Sequence, residues 1–240
     1  MKSMTWKLAL LSTAAAAILA GCGGGGADQT SKLANITSVK VMGDSLADSG
    51  VFKGIPTNGR IFSVQDSSSE PNTVWTERIA ALLGTPQLCN FFKYTGAAAA
   101  PFSVVPGCSS YAVGGGRINN INPQTGAGAS PFSITYQLQV ASAAGNYSSS
   151  DLLLIDGGGN DAADLVGAYL GAAKDGGAGF AAMAGTLIPA GTLAPMLAGG
   201  QAGLAQVGGA YMVALADKFY ASIKVSALDK GAQRIACLLY

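Results

Sequence analysis

Residues 36–42 (ITSVKVM) form a β-rich run that stops at Gly43-Asp44-Ser45, the pattern of a buried strand entering a turn. Over residues 73–83, Trp75, Ile79, Leu82 and Leu83 fall on one helical stripe, and Gly84 supplies a stop. Residues 109–113 predict a short strand leading into Gly114-Gly115-Gly116, and residues 134–144 predict a helix that breaks at 146–150. The clearest strand is 151–156 (DLLLID), a continuous apolar run of the kind buried on both faces, and it ends in Gly157-Gly158-Gly159. A long helix over 211–228 precedes a further strand at 233–239. Strands that alternate with helices predict a parallel sheet covered on both faces. Three of these strands end in a glycine-bearing turn, and in such sheets the carboxyl ends of the strands hold the site.

Residues 167–210 break the rhythm, with twelve glycines that weaken any helix. This segment predicts a loosely helical insertion, either a cap over the site or a poorly ordered excursion. Lys174, Asp175, Pro189 and Pro195 disfavour a membrane span there.

The 240 residues fit one large domain or two small ones, and 49% hydrophobic content excludes a disordered chain. With 34 glycines the chain uses about twice the ordinary share. A net charge of +1 offers no basic field for a phosphate backbone, so nucleic acid is not an expected partner. The sequence contains no histidine, which removes imidazole bases, histidine-ligated zinc and a Ser-His-Asp relay from these residues. No metal or other cofactor is called for.

The amino terminus reads as an address. Lys2 and Lys7 precede an apolar run over residues 8–20. At about 13 residues it suits a signal-peptide core and falls short of the roughly 20 needed to span a bilayer. It ends in Leu19-Ala20-Gly21-Cys22, which resembles the lipobox of bacterial lipoproteins. That resemblance implies cleavage before Cys22, a lipid on its thiol, and an exported chain anchored in the cell envelope. Aspartate does not follow Cys22, so the outer membrane of a Gram-negative bacterium is the implied destination. The alternative is an ordinary secretory signal with an incidental cysteine. Residues 22–35, opening with Gly23 to Gly26, then read as a flexible tether ahead of a domain at 36–240. Loss of residues 1–21 removes two lysines and turns the net charge from +1 to −1. In an oxidising compartment Cys89 and Cys108 are the expected disulfide, with two unpaired buried thiols as the alternative. Cys237 is then left over.

Three blocks carry candidate chemistry. In Gly43-Asp44-Ser45-Leu46 a serine stands at a strand-to-helix turn, where its hydroxyl can be exposed and nearby amides can face an oxyanion. No G-x-S-x-G elbow exists, and alone this block is equally a serine in a plain turn. Tyr111-Ala112-Val113-Gly114-Gly115-Gly116-Arg117 permits close backbone approach to a ligand and an amide donor. A tight turn is its simpler reading, and no phosphate-loop pattern matches. In Gly157-Gly158-Gly159-Asn160-Asp161 the asparagine amide is a neutral donor for a tetrahedral oxyanion, and Asp161 orients the loop or caps the next helix.

Together and in this order, the blocks GDSLADSG, YAVGGGRIN and GGGND resemble the SGNH (GDSL) hydrolase family across residues 36–240. The resemblance implies an α/β fold: a three-layer α/β/α sandwich on a flavodoxin-like parallel sheet. It implies hydrolysis of carboxylic esters, as an esterase or lipase, through an acyl-serine intermediate. Ser45 would be the nucleophile and, through its N–H, one oxyanion donor. Gly115, with Gly114 as the alternative, would be the second, and Asn160 the third. Asp44 and Asp48 would hold the serine loop. Ser110 stands where many relatives have asparagine, a departure that loosens that block's hydrogen bonding.

The family completes its site with a late Asp-x-x-His block, and these residues contain none. The expectation is therefore a chain truncated, fragmentary or frameshifted near residue 236, missing its last strand and helix and inactive as written. Lys53, Lys93 and Arg60 have no positional claim to a Ser-Lys pair, and Asp48 or Asp161 at an ordinary pKa is a poor base. Alternatives to the hydrolase are a non-catalytic lipid-anchored lipoprotein that binds acylated ligands, and an acyltransferase on the same scaffold. The expected partners are a small-molecule or lipid ester and, through Cys22, a membrane. Phe52, Ile55 and Phe62 suggest either an acyl groove or ordinary core.

Overall fold

A computed structural model describes residues 35–52, 73–98 and 100–239. The expectations for the signal, Cys22 and the tether, and for Lys53, Ile55, Arg60 and Phe62, lie outside the described residues.

The chain is a mixed α/β protein built on a parallel sheet. Strand β1 (Ser38–Met42) pairs in parallel with β4 (Asp151–Gly157), Ser38 opposite Asp151 and Met42 opposite Ile155. Strand β5 (Ile235–Leu239) pairs in parallel with the other edge of β4, Leu153 opposite Ile235 and Gly157 opposite Leu239. The strand order is β1-β4-β5. The strand expected over residues 109–113 is reduced to bridges. Ser110 bridges Val41 and Asn90, and the Tyr111 and Val113 amides donate to Val41 O at 2.7 Å and Gly43 O at 3.1 Å. That segment still runs beside β1 and delivers the triple glycine to the end of the sheet.

Alternation along the strands divides the core. Met42, Leu153 and Ile155 face one cluster with Ile134, Leu138 and Ala141 of helix α2 (Ile134–Ala143) and Leu215, Phe219 and Ile223 of helix α6 (Gly200–Ser226). Val39, Val41 and Leu154 face another with Ala80 of helix α1 (Trp75–Leu82), against which Trp75 and Ile79 pack. Helices thus cover both faces of the sheet. At the start of α1 the Glu77 carboxylate accepts the Val74 N–H at 2.9 Å, satisfying a donor the helix leaves open.

The segment 167–210, expected as a loosely helical insertion, is helical over most of its length. Helix α3 (Gly159–Asp175) starts well before it, and α4 (Ala178–Ala184) and α5 (Ala190–Leu197) follow. Helix α6 begins at Gly200, a full eleven residues ahead of the boundary at 211. Leu165, Phe180, Ile188, Leu193, Val207 and Tyr211 form a cluster of their own among these helices. Small residues let backbones approach: a Cβ on Gly203 would overlap Met196 O. Glycine lowers helix propensity here, and close packing offsets that loss. Among the described residues no helix is long and apolar enough to cross a membrane.

A feature the sequence pattern does not reveal is the hairpin of β2 (Phe92–Tyr94) and β3 (Phe102–Val104), paired antiparallel with Phe92 opposite Val104. Cys89 and Cys108 are bonded across its base, 19 residues apart. Closing a loop of that size constrains the unfolded chain by about 3 kcal/mol. Cys237 is a free, exposed thiol on β5. Reduction, or the paired change Cys89→Ala and Cys108→Ala, is expected to lower unfolding free energy by about 3 kcal/mol in urea titrations. Unchanged midpoints would show that the disulfide contributes nothing to stability.

Candidate functional site

The site is assembled where β1, the 109–113 segment and β4 end on the same side of the sheet. Burial there forces each backbone polar group to find a partner. Gly43 leaves β1 with its N–H donated to Gln137 Oε1 at 2.7 Å, while its carbonyl accepts from Gln137 Nε2 at 3.0 Å. Gln137 is wholly buried on α2, and its Nε2 also donates to Pro131 O at 2.8 Å. The next amide, Asp44 N–H, donates to Asp156 Oδ1 at 2.9 Å. A Cβ on Gly43 would overlap that oxygen, so only glycine admits the contact.

Ser45 follows, half-buried. Asp44, itself buried, accepts the Leu46 N–H on Oδ1 at 3.1 Å. Asp48 ties two blocks together: Oδ1 accepts the Gly50 and Val51 N–H groups, both at 2.8 Å, and Oδ2 accepts the Gly114 N–H at 2.7 Å. Of the two glycines weighed as oxyanion donors, Gly114 thus has its N–H engaged. The Gly115 N–H has no acceptor among the described residues. Gly116 packs directly under the serine turn, where a Cβ would come within 2.8 Å of Gly43 O and 3.0 Å of Val113 O.

The third block closes on the first two. Asn160, in the first turn of α3, donates from Nδ2 to Gly116 O at 3.0 Å and, more weakly, to Asp44 Oδ2 at 3.4 Å. All three sequence blocks therefore meet around Asp44, Gly116 and Asn160. Asp161 does not cap α3, whose N-cap is Gly158 in a left-handed conformation. Its carboxylate instead accepts the Ile118 N–H at 3.0 Å and the Asn119 N–H at 2.7 Å, orienting the loop beyond the triple glycine. Burial raises its pKa, while those two amides and the Arg117 charge pull it back. One backbone amide on each oxygen ties Asp161 to the loop at 118–119.

Several positioning residues carry no motif signal. Arg117 forms a forked ion pair with Asp164, including Nη2 to Oδ1 at 2.9 Å, and donates from Nη1 to Gly115 O at 2.6 Å. Asp164 lies one helical turn beyond Asn160, so α3 supplies both the asparagine and the anchor for Gly115. Gln137 and Asp156 were hidden because each reads as an ordinary position of a predicted helix or strand. Lys93, by contrast, is exposed on the hairpin. Ser110 is buried, and its Oγ has no hydrogen-bond partner. Phe52 packs on Tyr94 with ring centroids 5.2 Å apart. Among the described residues no group of three or more histidine, cysteine or acidic side chains could hold a metal ion.

No family model matches the chain, and no curated protein matches it.

The Asp156 carboxyl is strongly perturbed. Burial, followed by the Asp44 charge, pushes its pKa up to about 7, against the Asp44 amide and the Trp75 side chain, which lower it. Its Oδ2 is buried and, among the described residues, makes no hydrogen bond of normal length, the Trp75 side chain acting on the carboxyl more weakly. A carboxyl raised from 3.8 in this way is held neutral by the fold while the unfolded chain releases its proton. Its contribution to stability is thus complete below about pH 4, falls by about 1.4 kcal/mol per pH unit, and is lost once pH passes about 7. Asp156→Asn is expected to flatten this slope in urea titrations between pH 5 and 8. Parallel slopes for the two proteins would show that Asp156 is ionised in the fold.

Proposed function

We propose that the chain is an ester hydrolase scaffold of the SGNH (GDSL) type, with Ser45 as nucleophile. The observation that carries this reading is the convergence of three separate blocks at the strand ends, with Asn160 Nδ2 bridging Gly116 O and Asp44 Oδ2. In this reading the flavodoxin-like α/β/α sandwich places Ser45 N–H, Gly115 N–H and the Asn160 amide around one developing oxyanion. Neither backbone N–H has an acceptor among the described residues. Asn160 keeps one strong internal bond and turns its longer, weaker one toward the substrate oxygen as charge develops. Asp44 and Asp48 serve the loop as acceptors of backbone N–H groups, not as proton acceptors from serine. Attack of Ser45 Oγ on an ester carbonyl would give an acyl-serine, released to water or, on an acyltransferase, to another alcohol. The lipid anchor at Cys22 would set this site at an envelope surface with ester substrates.

The missing step is proton removal from Ser45, since the 240 residues include no histidine. Oxyanion stabilisation and binding alone leave about 10³–10⁴-fold over water when the serine relay is broken. A second reading is a non-catalytic lipoprotein that binds acylated ligands in this cradle, supported by the unengaged Ser45 and Gly115 N–H groups among the described residues.

The test is hydrolysis of p-nitrophenyl butyrate by these 240 residues with and without added imidazole. Activity is expected to be low alone and to rise with imidazole beyond the rise seen for Ser45→Ala. Equal rates for the two proteins at every imidazole concentration would overturn the hydrolase reading and leave the binder.

A further inference from the structure

Beside the candidate oxyanion loop lies a cleft of about 720 Å³ between the β2–β3 hairpin and the loop at 123–132. Tyr94, Phe102 and Phe132 wall it, and Gln124, Thr125 and Ser130 stand among its polar lining. The rings meet edge to face: Phe102 and Phe132 centroids are 5.2 Å apart at 74°, and Tyr94 and Phe102 are 5.4 Å apart at 73°. Each of the three remains half-buried, so ring surface is left for a ligand. None of the described lining residues carries a charge.

Both walls are fixed. The disulfide Cys89–Cys108 closes the base of the hairpin, and the Tyr94 N–H donates to Val51 O at 3.0 Å, tying it to the end of the serine loop. Opposite, buried Asn120 donates to Ala127 O at 2.8 Å and accepts from the Asn122 N–H at 3.2 Å, holding the two short 3₁₀ turns Pro123–Thr125 and Ala127–Ala129. Such a cleft is preformed, which spares a ligand the cost of ordering it.

Phe132 joins the cleft to the site. A Cβ at Gly115 would stand 3.9 Å from the Phe132 ring, and the Phe132 carbonyl accepts the Arg117 N–H at 2.9 Å. We propose that this cleft binds the aromatic arm of an uncharged aryl ester, seating its ring against Phe132 beside Gly115. The identity of the arm follows from the walls: aromatic faces reward a flat ring, the hydroxyl and amide groups accommodate ring substituents, and the absence of charge gives nothing to an ionic headgroup. That the ring belongs to an ester rests on the hydrolase reading; that the cleft takes an aryl ring does not.

The test uses unreactive probes on the whole 240-residue chain. N-(2-naphthyl)acetamide binding is followed by its fluorescence, with N-hexylacetamide as a linear competitor. The naphthyl probe is expected to bind at least tenfold more tightly than the hexyl one. Ala129→Trp, which fills the cleft from an exposed position, and Phe132→Ala are each expected to weaken it at least tenfold. Ala129→Trp is compared with the parent by thermal unfolding, so that lost binding is not lost folding. Naphthyl binding insensitive to Ala129→Trp, or tighter binding of the hexyl amide or of methyl glucoside, overturns the proposal. A cleft that binds the naphthyl probe as expected stands even if imidazole elicits no Ser45-dependent hydrolysis. Ser45-dependent hydrolysis with no Ala129→Trp effect on the probe removes the cleft and leaves the hydrolase reading.

Discussion

The buried end of β1 sets the terms for everything around it. A strand that stops inside a protein leaves peptide groups that neither sheet nor water can satisfy. Here side chains from distant segments complete them: Gln137 serves both polar groups of Gly43, and Asp156 takes the Asp44 N–H. Each is an expensive group to bury unless its partners are in place. The consequence is geometric. The turn bearing Ser45 is held in place, because moving it would strand several buried donors and acceptors at once.

That dependence explains what the sequence made legible. Strands over 36–42 and 151–156, the helices at 73–83 and 134–144, and the Cys89–Cys108 pair could be read because each follows from local pattern or simple compartment logic. The glycine blocks stood out because close backbone approach leaves glycine as the only choice, as the space beside Gly43 and Gly116 shows. Gln137, Asp156 and the Arg117–Asp164 pair were not legible, since their partners lie 94, 112 and 47 residues away. A local window sees only one half of such an interaction. In residues 167–210 glycine argues against helix locally, yet the Gly203–Met196 approach depends on it, so the packing of these helices was not legible. The 109–113 segment was read as a strand, but its pairing is broken into bridges, and its place beside β1 depends on contacts that a local window does not show.

The hairpin shows how a disulfide can shape a site without touching it. Three-residue strands are too short to hold a hairpin alone. The Cys89–Cys108 bond and the contacts of Phe92 with Phe102, Tyr111 and Tyr136 supply the missing anchorage. Tyr94 and Phe102 are thereby presented opposite Phe132 on a wall that cannot swing away. Rigid presentation matters more than area for a small ligand, because ordering a mobile wall would consume much of the gain from stacking.

Charge is the remaining constraint. Asp44, Asp48, Asp156 and Asp161 crowd a region meant, in the proposed reading, to stabilise a new negative charge. Arg117 offsets Asp161 only in part, since Asp164 already holds its guanidinium. The conflict is resolved by how the carboxyls are spent. Asp48 gathers three backbone N–H groups and Asp161 two, so their charge is spread over peptide dipoles and fixes loops in place. Asp156, which takes the Asp44 N–H and lies by the Trp75 side chain, has its pKa pushed up to about 7 by burial and the Asp44 charge. An oxyanion at this site would then be held by neutral donors whose positions are set by buried carboxylates. The arrangement favours preorganisation over net positive charge.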